Sequence, residues 1–230
     1  MMRHPHRLLL PLVATGCISI DPNAISITYD FAPQQFGRDF GNTAGNVPDV
    51  SCATNPSACA AVPAQGGAAA SCDPGTKKCV VTAELRLVQS INLSQQANFP
   101  QEVANSKIIQ QVTVDQIRFW TPTNTLSFAT PPIDLYVGSQ AAQKETDPGV
   151  TKLGTIPVIP KGERTAQQSP RQVQLTDAGK SALGLFAKDF RTPFNLIIAG
   201  KVTVPGGQPA PGGKVDLFVQ PVVAFKIPLK

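Results

Sequence analysis

From Val80 onward, apolar and polar residues alternate along the chain with a period of two. In VVTAELRLVQSINL, Val81, Ala83, Leu85, Leu87, Ile91 and Leu93 interleave with Thr82, Glu84, Arg86, Ser90 and Asn92. Successive side chains of a strand point to opposite faces, so the pattern predicts a half-buried strand with one wet face. VTVDQIRFW puts Val112 and Val114 on one face and then Ile117 and Phe119, a slip of one position around Asp115 and Gln116. An extra residue in one strand of a pair makes a β-bulge. Further strands are expected at AISITYDF, at IDLYV with Ile133, Leu135 and Val137 inward, and at LGTIPVI, FNLIIAGKVTV and KVDLFVQPVVAFKI. The last sets Val215, Leu217, Val219, Val223, Phe225 and Ile227 on one face together with Pro221. A proline cannot donate to a ladder, so an edge strand or a bulge is expected there. About seven strands joined mostly by short turns predict an all-β chain, an antiparallel β-sandwich of immunoglobulin-like or jelly-roll-like type.

One helix interrupts the alternation. TDAGKSALGLFAKDF offers Thr176 or Asp177 as a cap and puts Leu183, Phe186 and Phe190 on one stripe, so a short helix near 177–190 is expected to cover one end of the sandwich.

Between Ala32 and Cys79 the periodicity fades and Ala, Gly, Pro, Asn and Ser dominate. A segment with so little apolar surface is read as a long flexible insertion, 32–79, within a single domain spanning 17–230. It holds Cys52, Cys59, Cys72 and Cys79 at spacings C-x6-C-x12-C-x6-C. Four cysteines allow three pairings. The symmetric spacing favours two local loops, Cys52–Cys59 and Cys72–Cys79, with the nested pairing as the alternative. A four-cysteine zinc site fits poorly, because paired zinc ligands are usually separated by two to four residues. No metal and no cofactor are therefore assigned.

Charged residues make up only 15% of the chain, and the formal charge is +5. No Lys/Arg cluster is denser than Lys77–Lys78. Nucleic-acid binding needs a concentrated basic face and is set aside.

The first residues read as an export signal. Arg3 and Arg7 give a basic start, Leu8 to Val13 an apolar run broken by Pro11, and Ala14, Thr15 and Gly16 a small-residue stretch before Cys17. Ending on Gly-Cys, the segment resembles the lipobox of bacterial lipoproteins, departing from it in having Ala14 where the family usually has Leu. The resemblance implies a signal peptide at 1–16, a diacylglyceryl group on the Cys17 thiol and acylation of its amine, hence a membrane anchor. By similarity to enterobacterial sorting, Ile18 in place of Asp implies release from the inner membrane, so an outer-membrane or periplasm-facing lipoprotein is expected. Removal of 1–16 also takes away both histidines, His4 and His6. What is left cannot perform Ser-His-Asp, Cys-His or histidine acid–base chemistry.

The remaining motifs are weak. VPGGQPAPGGKVD fails as a phosphate loop, having Gln208 where a glycine and Val215 where a Ser or Thr would stand, and reads as a hairpin loop. Asp21, Asp30, Asp39 and Asp49 are too dispersed for a calcium loop. Trp120 and Tyr136 both alternate with inward residues of their strands and form a candidate ligand platform, packing being the commoner fate of such rings. The expectation is a lipid-anchored envelope protein with a non-enzymatic structural, adhesive or assembly role. Its partners would be the membrane, through the anchor, and an envelope protein or glycan. A glycan- or peptide-binding module is the alternative.

Overall fold

A computed structural model describes residues 24–41, 45–62 and 68–229. His4, His6, Cys17 and Asp21 lie outside the described residues. In chain order the strands are β1 (Ala24–Asp30), β2 (Gln34–Asp39), β3 (Ala68–Cys72), β4 (Cys79–Ile91), β5 (Gln111–Asn124) and β6 (Ile133–Ser139). They continue with β7 (Thr151–Ile156), β8 (Arg171–Gln172), β9 (Gln174–Leu175), β10 (Phe194–Pro205) and β11 (Lys214–Pro228). Helix α1 (Gln101–Ala104) lies between β4 and β5, and α2 (Asp177–Lys188) follows β9.

The strands form two antiparallel sheets packed as a sandwich. In the first, β11 is central, with β5 and then β8 on one side and β1 and β2 end to end on the other. The second runs β3-β4-β10-β6-β7-β9. The alternation reads directly into the core: Phe36, Ile117, Phe119, Leu217, Val219, Val223 and Phe225 from one sheet meet Leu85, Leu135, Val137, Leu153, Leu196 and Ile198 from the other. The phase slip in β5 is a bulge. Val222 pairs with Gln116 and Val223 with Val114, leaving Asp115 as the extra residue.

Two expectations are corrected. Strand β11 is central rather than an edge, and the bulge lies in β5, across from the step after Val222. Pro221 is tolerated because it stands at the joint where β1 gives way to β2, so its missing N–H falls in a gap between two partner strands. The segment 32–79 contains structure the periodicity did not announce. QQFGRD pairs with β11, AAASC pairs with β4, and Pro56–Ala61 forms a 3-10 turn capped by the Asn55 side chain. These strands are held by backbone ladders and sulfur bonds more than by apolar stripes, and β2 buries only Phe36.

One open side of the sandwich is closed by a single stretch of chain. Residues 171–175 step from β5 of the first sheet to β7 of the second, with Val173 buried between them. Helix α2 then lies across the same seam, its Thr176 cap accepting from Gly179 N at 2.9 Å. Two glycines let the helix approach both sheets: a Cβ at Gly179 would meet the Leu153 backbone, and one at Gly184 would lie 3.0 Å from the Val112 carbonyl. Leu183 and Phe190 are buried and Phe186 packs on Phe194, which is the expected stripe. No helix among the described residues is long and apolar enough to cross a membrane.

Candidate functional site

All four cysteines of the insertion are bonded, in a pairing that neither sequence reading chose. Cys52 joins Cys72 and Cys59 joins Cys79, a crossed arrangement with a sequence separation of 20 in each case. The crossing follows from the sheet. Cys72 and Cys79 are opposite each other in the β3–β4 hairpin, where each faces a different part of the incoming chain. Val47, Val62, Val81 and Val204 close around the sulfurs to form a small separate core. Backbone bonds from Val47 N to the Gln208 carbonyl and from Gly207 N to the Val47 carbonyl fix this cap to the β10–β11 hairpin, and one from Cys79 N to the Val50 carbonyl ties it to β4. The sulfurs of Cys52, Cys59 and Cys72 lie within 4.8 Å of one another. Metal binding requires thiolates, and these atoms are committed to S–S bonds.

The structure separates Trp120 and Tyr136. Leu217 and Val219 point into the core, so Phe218 lies on the outer face of the first sheet, where Trp120 stacks on it at 5.5 Å and 7°. The indole is 5% exposed. The loop after β7 is pinned beside it, Thr121 N donating to Thr165 Oγ1 and Asn124 Nδ2 to the carbonyls of Pro160 and Glu163. Tyr136 sits on the outer face of the other sheet, between inward Leu135 and Val137. The two rings are thus on opposite sides of the sandwich and cannot form one platform.

Around Tyr136 a different constellation appears. A groove of ≈ 320 Å³ gathers Glu84, Arg86, Asp134, Tyr136, Glu145 and Lys201. Arg86 makes a forked contact with Glu145, Nε and Nη2 each donating at 3.0 Å. Asp134 accepts from Thr155 Oγ1 at 2.9 Å and from Tyr136 Oη at 3.4 Å, and Lys152 Nζ lies 2.6 Å away. Burial alone would raise the Asp134 pKa, but Lys152, Thr155 and Tyr136 outweigh it and hold the carboxyl below its ordinary range. The Arg86 fork does the same for Glu145. Burial, followed by the nearby Asp134 charge, pushes the Tyr136 hydroxyl up. Two ionised carboxylates, each matched to a cation, can accept hydrogen bonds from hydroxyls. Neither is poised as a general acid, which requires a raised pKa.

The sequence reading missed this groove. Arg86, Asp134 and Lys201 are outer-face positions of predicted strands, and a comparison of wet faces would have put them on one sheet. Glu145 comes from the loop after β6 and carried no periodic signal. Between the sheets lies an apolar void of ≈ 20 Å³ lined by Phe36, Leu85, Leu126, Ile133 and Ile198. At that size it is a packing defect holding about one water at most.

No family model matches the chain, and no curated protein does. Among solved structures it is similar to chains of Desmodium yellow mottle tymovirus (12% identity, TM-score 0.28) and turnip yellow mosaic virus (12%, TM-score 0.31), covering 100% of this chain and 92% of each of those. A chain of Mud crab tombus-like virus is similar at 13% identity and TM-score 0.26, covering 100% of this chain and 95% of that one. Likeness at this level assigns neither a family nor a function.

Proposed function

We propose that the protein is a lipid-anchored component of the bacterial envelope, held at the outer membrane through Cys17, with a non-enzymatic structural, adhesive or assembly role. One observation carries the reading. Ala24 lies at one end of the 15-residue strand β11, opposite Pro228, and the cross-linked cap is built at the other end, beyond Lys214. A tether entering at Ala24 would therefore present a rigid, disulfide-held tip at the far end. Cleavage before Cys17, which the anchor requires, would also remove His4 and His6, the chain's two histidines, and this supports a non-catalytic role. The state of Asp134 and Glu145 supports it as well. Metabolic labelling with a fatty-acid analogue tests the anchor: label lost on Cys17→Ser is expected, and absence of label in the native chain overturns it. Crosslinking at the cap in intact cells tests the tip, with envelope partners recovered only while the disulfides are intact.

A glycan-binding module is the second reading, favoured by the groove in which half-buried Tyr136 stands beside hydrogen-bonding carboxylates. A glycan array probed with native protein and with Tyr136→Ala separates the two. Binding that the substitution abolishes would favour the module.

A further inference from the structure

The inward stripes of β1 and β11 overrun the core. Tyr29 on β1, Phe31 just beyond it, and Val223, Phe225 and Ile227 on β11 are packed in it, and Ile27 on β1 packs against it. The same two faces continue to Ile25 and Leu229, which are 37% and 51% exposed. Ile108, in the loop after α1, is 62% exposed and joins them along one groove. Three of the five large hydrophobic side chains that stand exposed among the described residues thus collect at one end of the sandwich. Cations rim the same end. Lys107 and Ile108 share an adjoining recess with Lys188 and Arg191. Lys188 Nζ is held by the Gln110 carbonyl at 3.3 Å, and Arg191 Nη2 by that of Ala104 at 3.1 Å with its guanidinium over the Phe190 ring. Glu102 is the acidic residue lining the groove.

We propose that this end, with Ile25, Ile108 and Leu229 as its apolar contact and Lys107, Lys188 and Arg191 as its charged rim, seats on an anionic lipid surface. The inference rests on the lipid-anchor reading for its choice of occupant. Seven residue steps separate Cys17 from Ala24, a contour of about 24 Å at most. An acylated Cys17 would hold this end, rather than the disulfide cap, within that reach of a bilayer. Apolar side chains ringed by Lys and Arg suit a headgroup region, where hydrocarbon enters and ammonium groups meet phosphates.

The test uses the full chain carrying Cys17→Ser, so that no acyl group contributes. It is sedimented with vesicles of phosphatidylglycerol mixed into phosphatidylcholine, and with phosphatidylcholine alone. Salt-sensitive binding to the anionic vesicles is expected. Lys107→Gln should weaken it about fivefold, the contribution of one basic residue near a charged membrane, and Ile108→Ser by at least as much. Both positions are exposed, and unchanged thermal unfolding verifies that the variants fold. Binding that neither substitution alters would come from the N-terminal apolar segment and overturns the proposal, as does absence of binding. A dimer in solution that Ile108→Ser dissociates, with no lipid binding, assigns the face to a second copy and also overturns it. Fatty-acid labelling of the native chain separates the two readings. Label without vesicle binding keeps the anchor and overturns this face; vesicle binding without label does the reverse.

Discussion

Gln220 Nε2 donates to the carbonyl oxygen of Phe31 across 2.9 Å, in the place where Pro221 has no N–H to offer. Phe31 N donates to the Pro221 carbonyl at 3.0 Å, so the two residues form half of an antiparallel hydrogen-bonded pair. The neighbouring side chain supplies the other half. Phe31 is fully buried and Gln220 is 8% exposed, so losing the donor leaves an unsatisfied carbonyl away from water. Gln220→Leu should therefore cost about 1–3 kcal/mol, read as a lower urea midpoint with unchanged slope. In that background Pro221→Ala restores an N–H and should recover part of the loss. The same change in the native chain should not stabilise it.

The crossed disulfides predict a specific peptide map. Non-reducing digestion should link the Cys52 peptide to that of Cys72 and the Cys59 peptide to that of Cys79. Unfolded, unreduced protein should expose none of these four thiols. Replacing Cys52 and Cys72 together by Ser should cost about 3 kcal/mol, from the loop-closure entropy of a 20-residue separation.

Helix propensity and packing make opposite forecasts at Gly179. Within a helix interior Gly→Ala gains about 1 kcal/mol. Here the added methyl would sit 2.4 Å from Leu153 Cα and its carbonyl oxygen, both backbone atoms. Packing should win, and Gly179→Ala should lower the thermal midpoint. Recovery of stability by Gly179→Ala would show that α2 can lift off β7 freely.

Titration should show opposite behaviour at the two ends of the pH scale. Burial, then the neighbouring Asp30 charge, pushes the Tyr29 hydroxyl up to about 12, and it donates to Gln96 Oε1 at 2.6 Å. A raised folded pKa gives stability that is complete below the unfolded pKa of about 10 and is lost as pH rises toward 12. Tyrosinate absorbance should accordingly lag behind that of free tyrosine, and Tyr29→Phe should flatten the alkaline fall in stability. Asp134 and Glu145 are shifted down. Their contribution is present above about pH 4 and is lost as pH falls through their folded values. Arg86→Gln should remove part of that acid slope, an effect below about 1 kcal/mol for a partly exposed pair.

How much of this was legible in the chain varied with how each element is held. Strands that bury one face, such as β4, β6 and β11, show their period of two openly, and so does the Asp115 bulge, because a bulge shifts that period by one. The stripe and cap of α2 were equally plain. Strands β2 and β3 were not, since QQFGRD and AAASC bury little and owe their conformation to long-range ladders. The cysteine pairing was hidden for a related reason. Even spacing along the chain says nothing about which sulfur the β3–β4 hairpin turns toward which incoming turn. The groove around Arg86, Asp134 and Tyr136 depends on strand order, which alternation does not encode, and on Glu145 reaching in from a loop.

The end-to-end placement of β1 and β2 along β11 has a mechanical side. Ala24–Asp39 runs the length of that strand, about 46 Å at 3.3 Å per residue, in backbone that is mostly already extended. Tension between residue 24 and the cap would travel down this cord with little slack to draw out. It would load the rungs to β11 sideways and all together rather than peeling them one at a time. At the far end Cys59–Cys79 passes the load across to β4, so a pull on one edge of one sheet is shared by both.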